Sequence, residues 1–395
     1  MKIMRKVIAG ILLAFALLIG VLFAYYPPDY LYNLLFRGDF YYNPQADIVT
    51  GRDYVIRVWY YPFLRTVPDY AGREEEYFRR IEKRVQEDFP NISLEAEEVS
   101  FLEGKKKLEE SLEAGGPPDI YFDFSGRSYI SPELQVPVEI YFNGGEEDDY
   151  LIPQKFNNHF WGWPFLIYRE KWAISENIKA ETVSKDLLQD PGVDLYFNYH
   201  DRDLLLQLLA IYGLERPELD EGRLEEDTLA TMKRIFADLQ NLREEDRLES
   251  SSGSGLLKEF FQEENSIVGP VNPWLKLFIE RKTGEGSFLP VDNLIRVYSL
   301  NVFRQEPYQG HDHTKAAMET ARIICREFSP EIAGALNLEP GYRAGRDTDD
   351  NIGGKLLPII HPEQKQKWEE IVLPVWMRFW EDELTADEAI ELLSQ

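Results

Sequence analysis

Aromatic and polar side chains follow predicted strands at the points where those strands end. Tyr60 and Tyr61 close a β-branched and aromatic run, and Asp123 and Ser125 follow the short run 120–122. In open α/β sheets, ligands gather at the carboxyl ends of parallel strands. Stacking rings beside hydrogen-bonding groups suit solutes with apolar faces and polar edges, such as sugars. We therefore expect these four residues to face one cleft.

Three other groups of polar residues resemble metal sites, but each has a simpler explanation. The triplet 311–313 (His-Asp-His) could ligate a metal, but an exposed turn before a helix is the expected reading. The stretch 347–351 mimics the start of a calcium loop, yet it lacks the glycine at the sixth position and the glutamate at the twelfth. The acidic run 146–149 is read as a solvated loop rather than a calcium site. No serine-hydrolase elbow, Walker loop or zinc-protease motif occurs, so we expect no enzyme, metal or cofactor.

The elements that position these residues form a parallel α/β unit. A charged periodic run, 105–114, stops at Gly115 and Gly116, where a helix needs a residue tolerant of the left-handed conformation. Pro117 and Pro118 prevent continuation, and a buried strand follows. Upstream lie a strand, a helix with apolar residues at helical spacing between 70 and 89, and a second strand from Ile92. The order β-α-β-α-β predicts a parallel sheet with right-handed crossovers.

A second compositional unit opens at residue 161. The aromatic run 161–168 is typical of a strand, and helices are predicted over 203–212, 225–242 and 255–264. A short strand is predicted over 266–270, leading to 271–274, and the runs 288–290 and 295–300 are predicted to cross back to the first unit. A helical run surrounds Cys325, and the chain ends with a helix over 363–380 and a short helix capped by Thr385 and Glu388.

Size and charge bound the function. A chain of 395 residues is long enough for two domains. Its net charge of −27 argues against a nucleic-acid partner, because phosphates require Lys and Arg. The single cysteine, Cys325, permits neither a disulfide framework nor a thiolate metal site within one chain.

The first 51 residues predict attachment to a membrane. An uninterrupted apolar run from Val7 to Tyr26 follows Lys2, Arg5 and Lys6. Because a secretory core is usually ~7–15 residues and a spanning helix needs ~20, we favour an uncleaved anchor over a removed signal. The basic residues predict a cytoplasmic stub over 1–6, with the remaining chain outside and 27–51 as a juxtamembrane linker. Secretion after signal cleavage is the alternative.

The ordered set of these pieces resembles the extracellular solute-binding proteins of ABC importers, in the sugar-binding group that includes maltose-binding protein. The most specific piece is KLEESLEAGGPPDIYF at 107–122, and VWMRFWEDELTADEAIELL at 375–393 closely resembles the family's C-terminal signature. Weaker pieces are VIRVWYY, YFRRIEKRVQEDFPNISLEAEEV, RLEEDTLATMKRIFADLQ, FFQEENSIVGPVNPWL, IRVYSLN and AAMETARIICREFSPEIAGALNLEPGYRA. Together they cover nearly all of the chain after residue 53.

The resemblance implies two α/β lobes joined by hinge strands that close around a ligand. The expected lobe boundaries are 52–155 with 296–334 for lobe 1, and 156–290 with 340–395 for lobe 2. The implied function is that of an extracytoplasmic binding protein for a carbohydrate or similar polar solute, with ABC permease subunits as partners. In lobe 2 or at the hinge, the expected ligand contacts are Trp163, Asn272, Trp274, Tyr342 and Arg343.

Two other functions stay open at this point. A sensory or structural ectodomain would have the same fold with a cleft filled by its own side chains. A surface glycoside hydrolase would need two carboxylates about 5–10 Å apart in the cleft, and turnover in place of simple binding.

Overall fold

The structure is a computed structural model that describes most of the chain after residue 42. The described residues are 43, 45–66, 72–100, 103–124, 130–131, 133–142, 159–175, 178–198, 202–214, 217, 219–220, 223–250, 267–283, 288–305, 308–342, 355–356, 364 and 368–394. The predicted anchor at 7–26, the helix at 255–264 and the acidic stretches 146–149 and 347–351 lie outside them. No helix among the described residues is long and apolar enough to cross a membrane.

Strands and helices alternate along most of the chain. The strands are β1 Tyr54–Tyr60, β2 Ile92–Glu98, β3 Ile120–Asp123, β4 Trp163–Ile174, β5 Asp194–Phe197, β6 Leu219–Asp220, β7 Arg223–Leu224, β8 Leu248–Ser250, β9 Ile267–Val271, β10 Phe288–Val302, β11 Glu339–Pro340 and β12 Lys355–Leu356. The α-helices are α1 Glu74–Asp88, α2 Gly104–Glu113, α3 Lys185–Leu188, α4 Arg202–Ile211, α5 Glu226–Glu244, α6 Pro273–Thr283, α7 His311–Ile323, α8 Ser329–Leu336, α9 Leu373–Trp380 and α10 Ala386–Leu393. Single π-helical turns precede α8 (Ile324–Phe328) and α9 (Trp368–Val372), and 3₁₀ turns lie at Pro62–Thr66 and Glu139–Tyr141.

One mixed sheet runs through the described part of the chain in the order β2-β1-β3-β10-β4-β9-β5-β8. β1 is parallel to β2 and β3, as the β-α-β-α-β pattern predicts. β10 is antiparallel to both β3 and β4, and β4 is antiparallel to β9. β5 is parallel to β9 and β8. The two long strands β4 and β10 therefore lie in the middle of the sheet, between two parallel flanks.

Two large hydrophobic cores pack against this sheet. The first core gathers β1, β3 and helices α1, α7 and α8 around fully buried side chains such as Phe122 and Phe165. The second core gathers β5, α4, α5, α9 and α10 around Trp172 and Phe236. β4 supplies Phe165 to the first core and Trp172 to the second, and β10 supplies residues to both. The two cores are thus connected through a shared pair of strands.

Local signals in the sequence account for several boundaries. Gly115 has a φ of +70° directly after α2, which is the left-handed conformation expected where that helix stops. Thr385 and Glu388 form the predicted capping box at the start of α10. Other elements differ from the prediction, and two of them border the site described below. α6 was not predicted, although Pro273 at its first position is favourable for a helix start, and β10 is one strand where two short ones were expected.

The triplet 311–313 does not form the predicted exposed turn. It is the first turn of α7, and His313 is buried with its Nε2 2.9 Å from Oδ1 of Asp119. Oδ2 of Asp119 also accepts a hydrogen bond from the backbone N–H of Arg57, at 2.8 Å. The prediction was wrong because Asp119, buried at the start of β3, supplies a polar partner that draws His313 inside.

Candidate functional site

A cavity of about 600 Å³ lies between the two cores, against the strands that they share. We call it the front cavity. β4 and β10 form its floor, the ends of β1 and β3 border one side, and α4 with the β9–α6 connection borders the other. Its lining residues are Tyr61, Lys105, Phe124, Tyr168, Glu170, Asp203, Gln207, Pro270, Val271, Asn272, Pro273, Arg296 and Tyr298.

One side of the front cavity is aromatic. Tyr61 and Phe124 directly follow the carboxyl ends of β1 and β3, and their ring centroids lie 6.2 Å apart. Phe124 also packs against Tyr298 of β10, with centroids 5.2 Å apart. The hydroxyl of Tyr61 hydrogen-bonds to that of Tyr121, and burial raises the pKa of the Tyr61 hydroxyl. The rings are therefore held in place and stay neutral at physiological pH.

The opposite side and the floor are polar. Arg296 of β10 donates from Nε to Oε1 of Glu170 at 2.6 Å, and from Nη1 to Oδ2 of Asp203. Gln207 donates to the second oxygen of Glu170 at 2.9 Å. Its own carbonyl accepts the indole N–H of Trp172 at 2.7 Å. Each group in this network is thus oriented by a neighbour, which fixes the hydrogen-bonding geometry that a ligand would meet.

Arg296 keeps its charge despite burial. Burial disfavours the charged guanidinium of Arg296, but the carboxylates of Asp203 and Glu170 outweigh that effect and hold its pKa well above the usual value. Glu170 is only 1% exposed, so its charge depends on the cation beside it. The front cavity accordingly presents fixed charged groups that face an aromatic wall.

The β9–α6 connection closes the cavity from the second side. Asn272 is exposed, and its side-chain oxygen caps α6 by accepting the N–H of Leu275 at 2.8 Å. The hydroxyl of Tyr168, in the floor, donates to the carbonyl of Val271 at 2.8 Å. The connection is therefore attached to β4 by a buried hydrogen bond and is anchored at the start of a helix.

The structure brings some of the predicted site residues together and separates others. Tyr61 and Asn272 line the front cavity. Asp123 is buried at the end of β3, and its backbone pairs with that of Ser299 in β10. Burial is the main cause of the raised pKa of Tyr61, and the charge of Asp123 adds to it. Trp274 is the second residue of α6.

Three predicted contacts lie in the first core instead of the cavity wall. Tyr60 packs against Phe78 with ring centroids 4.3 Å apart. Trp163 is fully buried, and its indole N–H points to the sulfur of Met318 at 3.3 Å. Tyr342 is also buried in this core. Ser125 and Arg343 lie outside the described residues.

Several lining residues were missed by sequence reasoning, namely Lys105, Phe124, Tyr168, Glu170, Asp203, Gln207, Arg296 and Tyr298. A signal for two of them was present. Arg296 lies inside the run 295–300, which is predicted as a strand, and Glu170 follows the predicted strand 161–168 by two residues. A charge inside a buried strand requires a partner, so Arg296 indicated a buried ion pair without identifying the carboxylate.

Comparisons with known proteins bear on this architecture. No family model matches the chain. The chain is 30% identical over 109 residues to an uncharacterized ABC transporter extracellular-binding protein of Pyrococcus horikoshii. That match spans only a quarter of either chain.

Solved structures match over a much longer stretch. The maltose/maltodextrin-binding domain MalE of Bdellovibrio bacteriovorus, bound to maltotriose, aligns with a TM-score of 0.61 at 12% identity and covers 86% of this chain and 97% of that one. MalE of Xanthomonas citri aligns at 0.60 and 14% identity, over 86% and 95%. The GacH receptor of Streptomyces glaucescens, solved unliganded and with acarbose, aligns at 0.58 and 13%, over 87% and 97%. The chain therefore has a periplasmic-binding-protein-like α/β fold, as its sequence predicted.

Proposed function

We propose that this chain is the extracytoplasmic substrate-binding protein of an ABC transporter and binds a carbohydrate in the front cavity. The observation that carries the proposal is the pairing of an aromatic wall, Tyr61, Phe124 and Tyr298, with the fixed polar network around Arg296. Sugar rings have apolar faces that stack on aromatics and hydroxyls that need oriented donors and acceptors. The sugar ligands of the similar MalE and GacH structures support this choice of solute.

Binding would proceed by hinge closure. We infer that β4 and β10 act as hinge strands, with lobe 1 at 52–155 and 296–334 and lobe 2 at 156–290 and 340–395. In the proposed site, Tyr61, Asp123 and Phe124 act from lobe 1, and Asp203, Gln207 and Asn272 act from lobe 2. Closure would bring both sets against one ligand and exclude water from the polar network.

We also infer a place for the protein in the cell. Residues 7–26 would anchor it in the cell membrane with the folded part outside, where it would deliver solute to permease subunits. Cell fractionation tests the anchor: the full chain should stay with membranes after a carbonate wash, and a chain lacking residues 1–30 should not.

The binding test uses the purified full chain in detergent. Isothermal titration with maltotriose and a panel of oligosaccharides should give saturable binding by at least one glycan. Phe124→Ala should weaken that binding about twofold to tenfold, the usual range for one aromatic contact. Val55→Ala, at an exposed position on β1, is the matched control and should bind as the parent does.

Two outcomes would argue against the proposal. Absence of saturable binding by every glycan, together with absence of a ligand-dependent thermal shift, would leave the fold as a sensory or structural ectodomain. Hydrolysis of a bound glycan would favour a glycoside hydrolase. Against that alternative, Glu170 and Asp203 both bind the guanidinium of Arg296, whereas a glycosidase requires a protonated carboxylic acid as its general acid.

A further inference from the structure

Helix α2 begins directly against the ring of Tyr61, and it begins with a glycine. Gly104 is the first residue of α2 and is buried. A Cβ atom built on Gly104 would lie 2.7 Å from Cε1, 3.0 Å from the hydroxyl oxygen and 3.1 Å from Cζ of Tyr61. Carbon atoms prefer a separation of about 3.5–4.0 Å, so any side chain at residue 104 would force the ring or the helix to shift.

The backbone at Gly104 does not itself require glycine. The residue has the helical conformation of α2, and the positive φ that favours glycine occurs at Gly115, beyond the other end of the helix. Alanine stabilises a helix more than glycine does. The close approach of Tyr61 is therefore the feature that accounts for a glycine at this position.

Neighbouring side chains determine where the ring of Tyr61 can move. Its hydroxyl hydrogen-bonds to that of Tyr121, and the two rings meet edge to face with centroids 5.8 Å apart. Phe124 also meets it edge to face, with centroids 6.2 Å apart. Leu108 of α2 packs with Tyr61 and Tyr121 in a small hydrophobic core. The front cavity borders the same ring, so a ring displaced from α2 meets least resistance when it moves into the cavity.

A shift of the helix would alter the cavity too. Lys105 follows Gly104 directly and lines the front cavity, where its Nζ lies 3.5 Å from Oε1 of Glu369. If the start of α2 retreated from Tyr61, Lys105 would retreat with it. A side chain at residue 104 therefore changes the lining of the front cavity whether the ring or the helix yields.

We propose that Gly104 is a positioning residue of the front cavity. Because it has no side chain, the ring of Tyr61 lies against α2 and leaves the cavity its full width beside the aromatic side. Gly104 is not itself a lining residue, so its effect on a ligand passes through Tyr61 and Lys105. This inference rests on the proposed function of the front cavity as a sugar site, and it identifies residue 104 as a determinant of which glycans fit.

The first measurement needs no ligand. Denaturant unfolding of the full chain in detergent compares Gly104→Ala in the parent with Gly104→Ala in Tyr61→Leu, which lacks all three contacting atoms. In the parent, the substitution should lower the unfolding midpoint, because the new methyl group displaces the ring. In Tyr61→Leu it should leave the midpoint unchanged or raise it, because alanine favours the helix.

A matched control tests the effect of a helical alanine alone. Gly334 is an exposed residue of α8, and a Cβ added there meets open space. Gly334→Ala should therefore not lower the midpoint in either background. It should also leave glycan binding unchanged.

The second measurement is isothermal titration with maltotriose and the oligosaccharide panel. For a glycan that the parent binds, Gly104→Ala should weaken binding about twofold to tenfold, as expected when one aromatic contact is disturbed. In Tyr61→Leu, the same substitution should weaken binding less, because the ring that it displaces is already absent.

The two measurements distinguish this inference from the proposed function. If no glycan binds the parent, the proposed function fails, and the unfolding comparison alone decides whether Gly104 positions Tyr61. Equal losses of midpoint in the parent and in Tyr61→Leu would overturn the inference, because the glycine would then accommodate something other than the ring. Undiminished glycan binding by folded Gly104→Ala would overturn it as well.

Discussion

Nζ of Lys105 lies 3.5 Å from Oε1 of Glu369, and this ion pair connects α2 with the π-helical turn that precedes α9. Lys105 also lines the front cavity, so the pair joins the two sides of the proposed cleft at its edge. Both side chains are partly exposed, at 44% and 34%. An exposed pair of this kind contributes about 0–1 kcal/mol and weakens as salt increases.

Removing that pair should loosen the cleft without unfolding the protein. We expect Lys105→Met to increase the Kd of the bound oligosaccharide up to about fivefold at low salt, from the loss of about 1 kcal/mol. The effect should shrink in 0.5 M NaCl. Titration calorimetry at the two salt concentrations measures it, with Lys106→Met as the control. Equal losses at both salt concentrations would mean that Lys105 contacts the ligand directly.

Arg296 should matter for stability as well as for binding. Arg296→Met leaves the buried carboxylate of Glu170 without its cation, and breaking a buried pair in this way costs about 3–5 kcal/mol. Denaturant unfolding measures the loss. The double variant Glu170→Gln with Arg296→Met removes both charges and should recover part of it. If the single variant were as stable as the parent, the network would not hold a buried charge.

Tyr60 should make stability depend on alkaline pH. Burial raises the pKa of its hydroxyl from 10.0 to about 12, and nearby Glu98 adds to the shift. A raised pKa in the folded state contributes stability that is complete below pH 10 and is lost as the pH rises toward 12. The free energy of unfolding should therefore fall over this interval, and less steeply for Tyr60→Phe. Identical slopes for both proteins would show that Tyr60 does not contribute.

The capping box of α10 offers a local stability test. Thr385 accepts the backbone N–H of Glu388, and the Glu388 side chain accepts the backbone N–H of Thr385. Thr385→Ala should lower the free energy of unfolding by about 1 kcal/mol, as is typical for loss of an N-cap. Thr385→Ser keeps the hydroxyl and should retain most of the stability. A loss of equal size in the serine variant would indicate packing of the threonine methyl instead.

Local patterns predicted the fold well because its elements carry clear signals. The β-branched run at Tyr54, the stop at Gly115 and the box at Thr385 each depend on a few neighbouring residues. α6 was not predicted because a proline directly after a strand favours a loop, although Pro273 also suits the first turn of a helix. β10 was divided because Pro290 resembles an interruption, and only the pairing with β4 makes the strand continuous.

The front cavity was harder to predict than the fold. Residues that follow a strand can be recognised from the sequence, and Tyr61 was placed in this way. The polar side of the cavity instead comes from mid-strand charges. Glu170 and Arg296 are 126 residues apart in the chain and meet only because β4 and β10 pair. Their proximity depends on strand register, which a single sequence does not reveal.

The arrangement of β4 and β10 determines how cooperatively the protein unfolds. Each strand supplies buried side chains to both cores, and the two strands are hydrogen-bonded to each other along most of their length. If either core unfolded, β4 and β10 would lose packing contacts, and the other core depends on the same two strands. Melting should therefore be cooperative, with a single calorimetric transition for both halves in place of two separate ones.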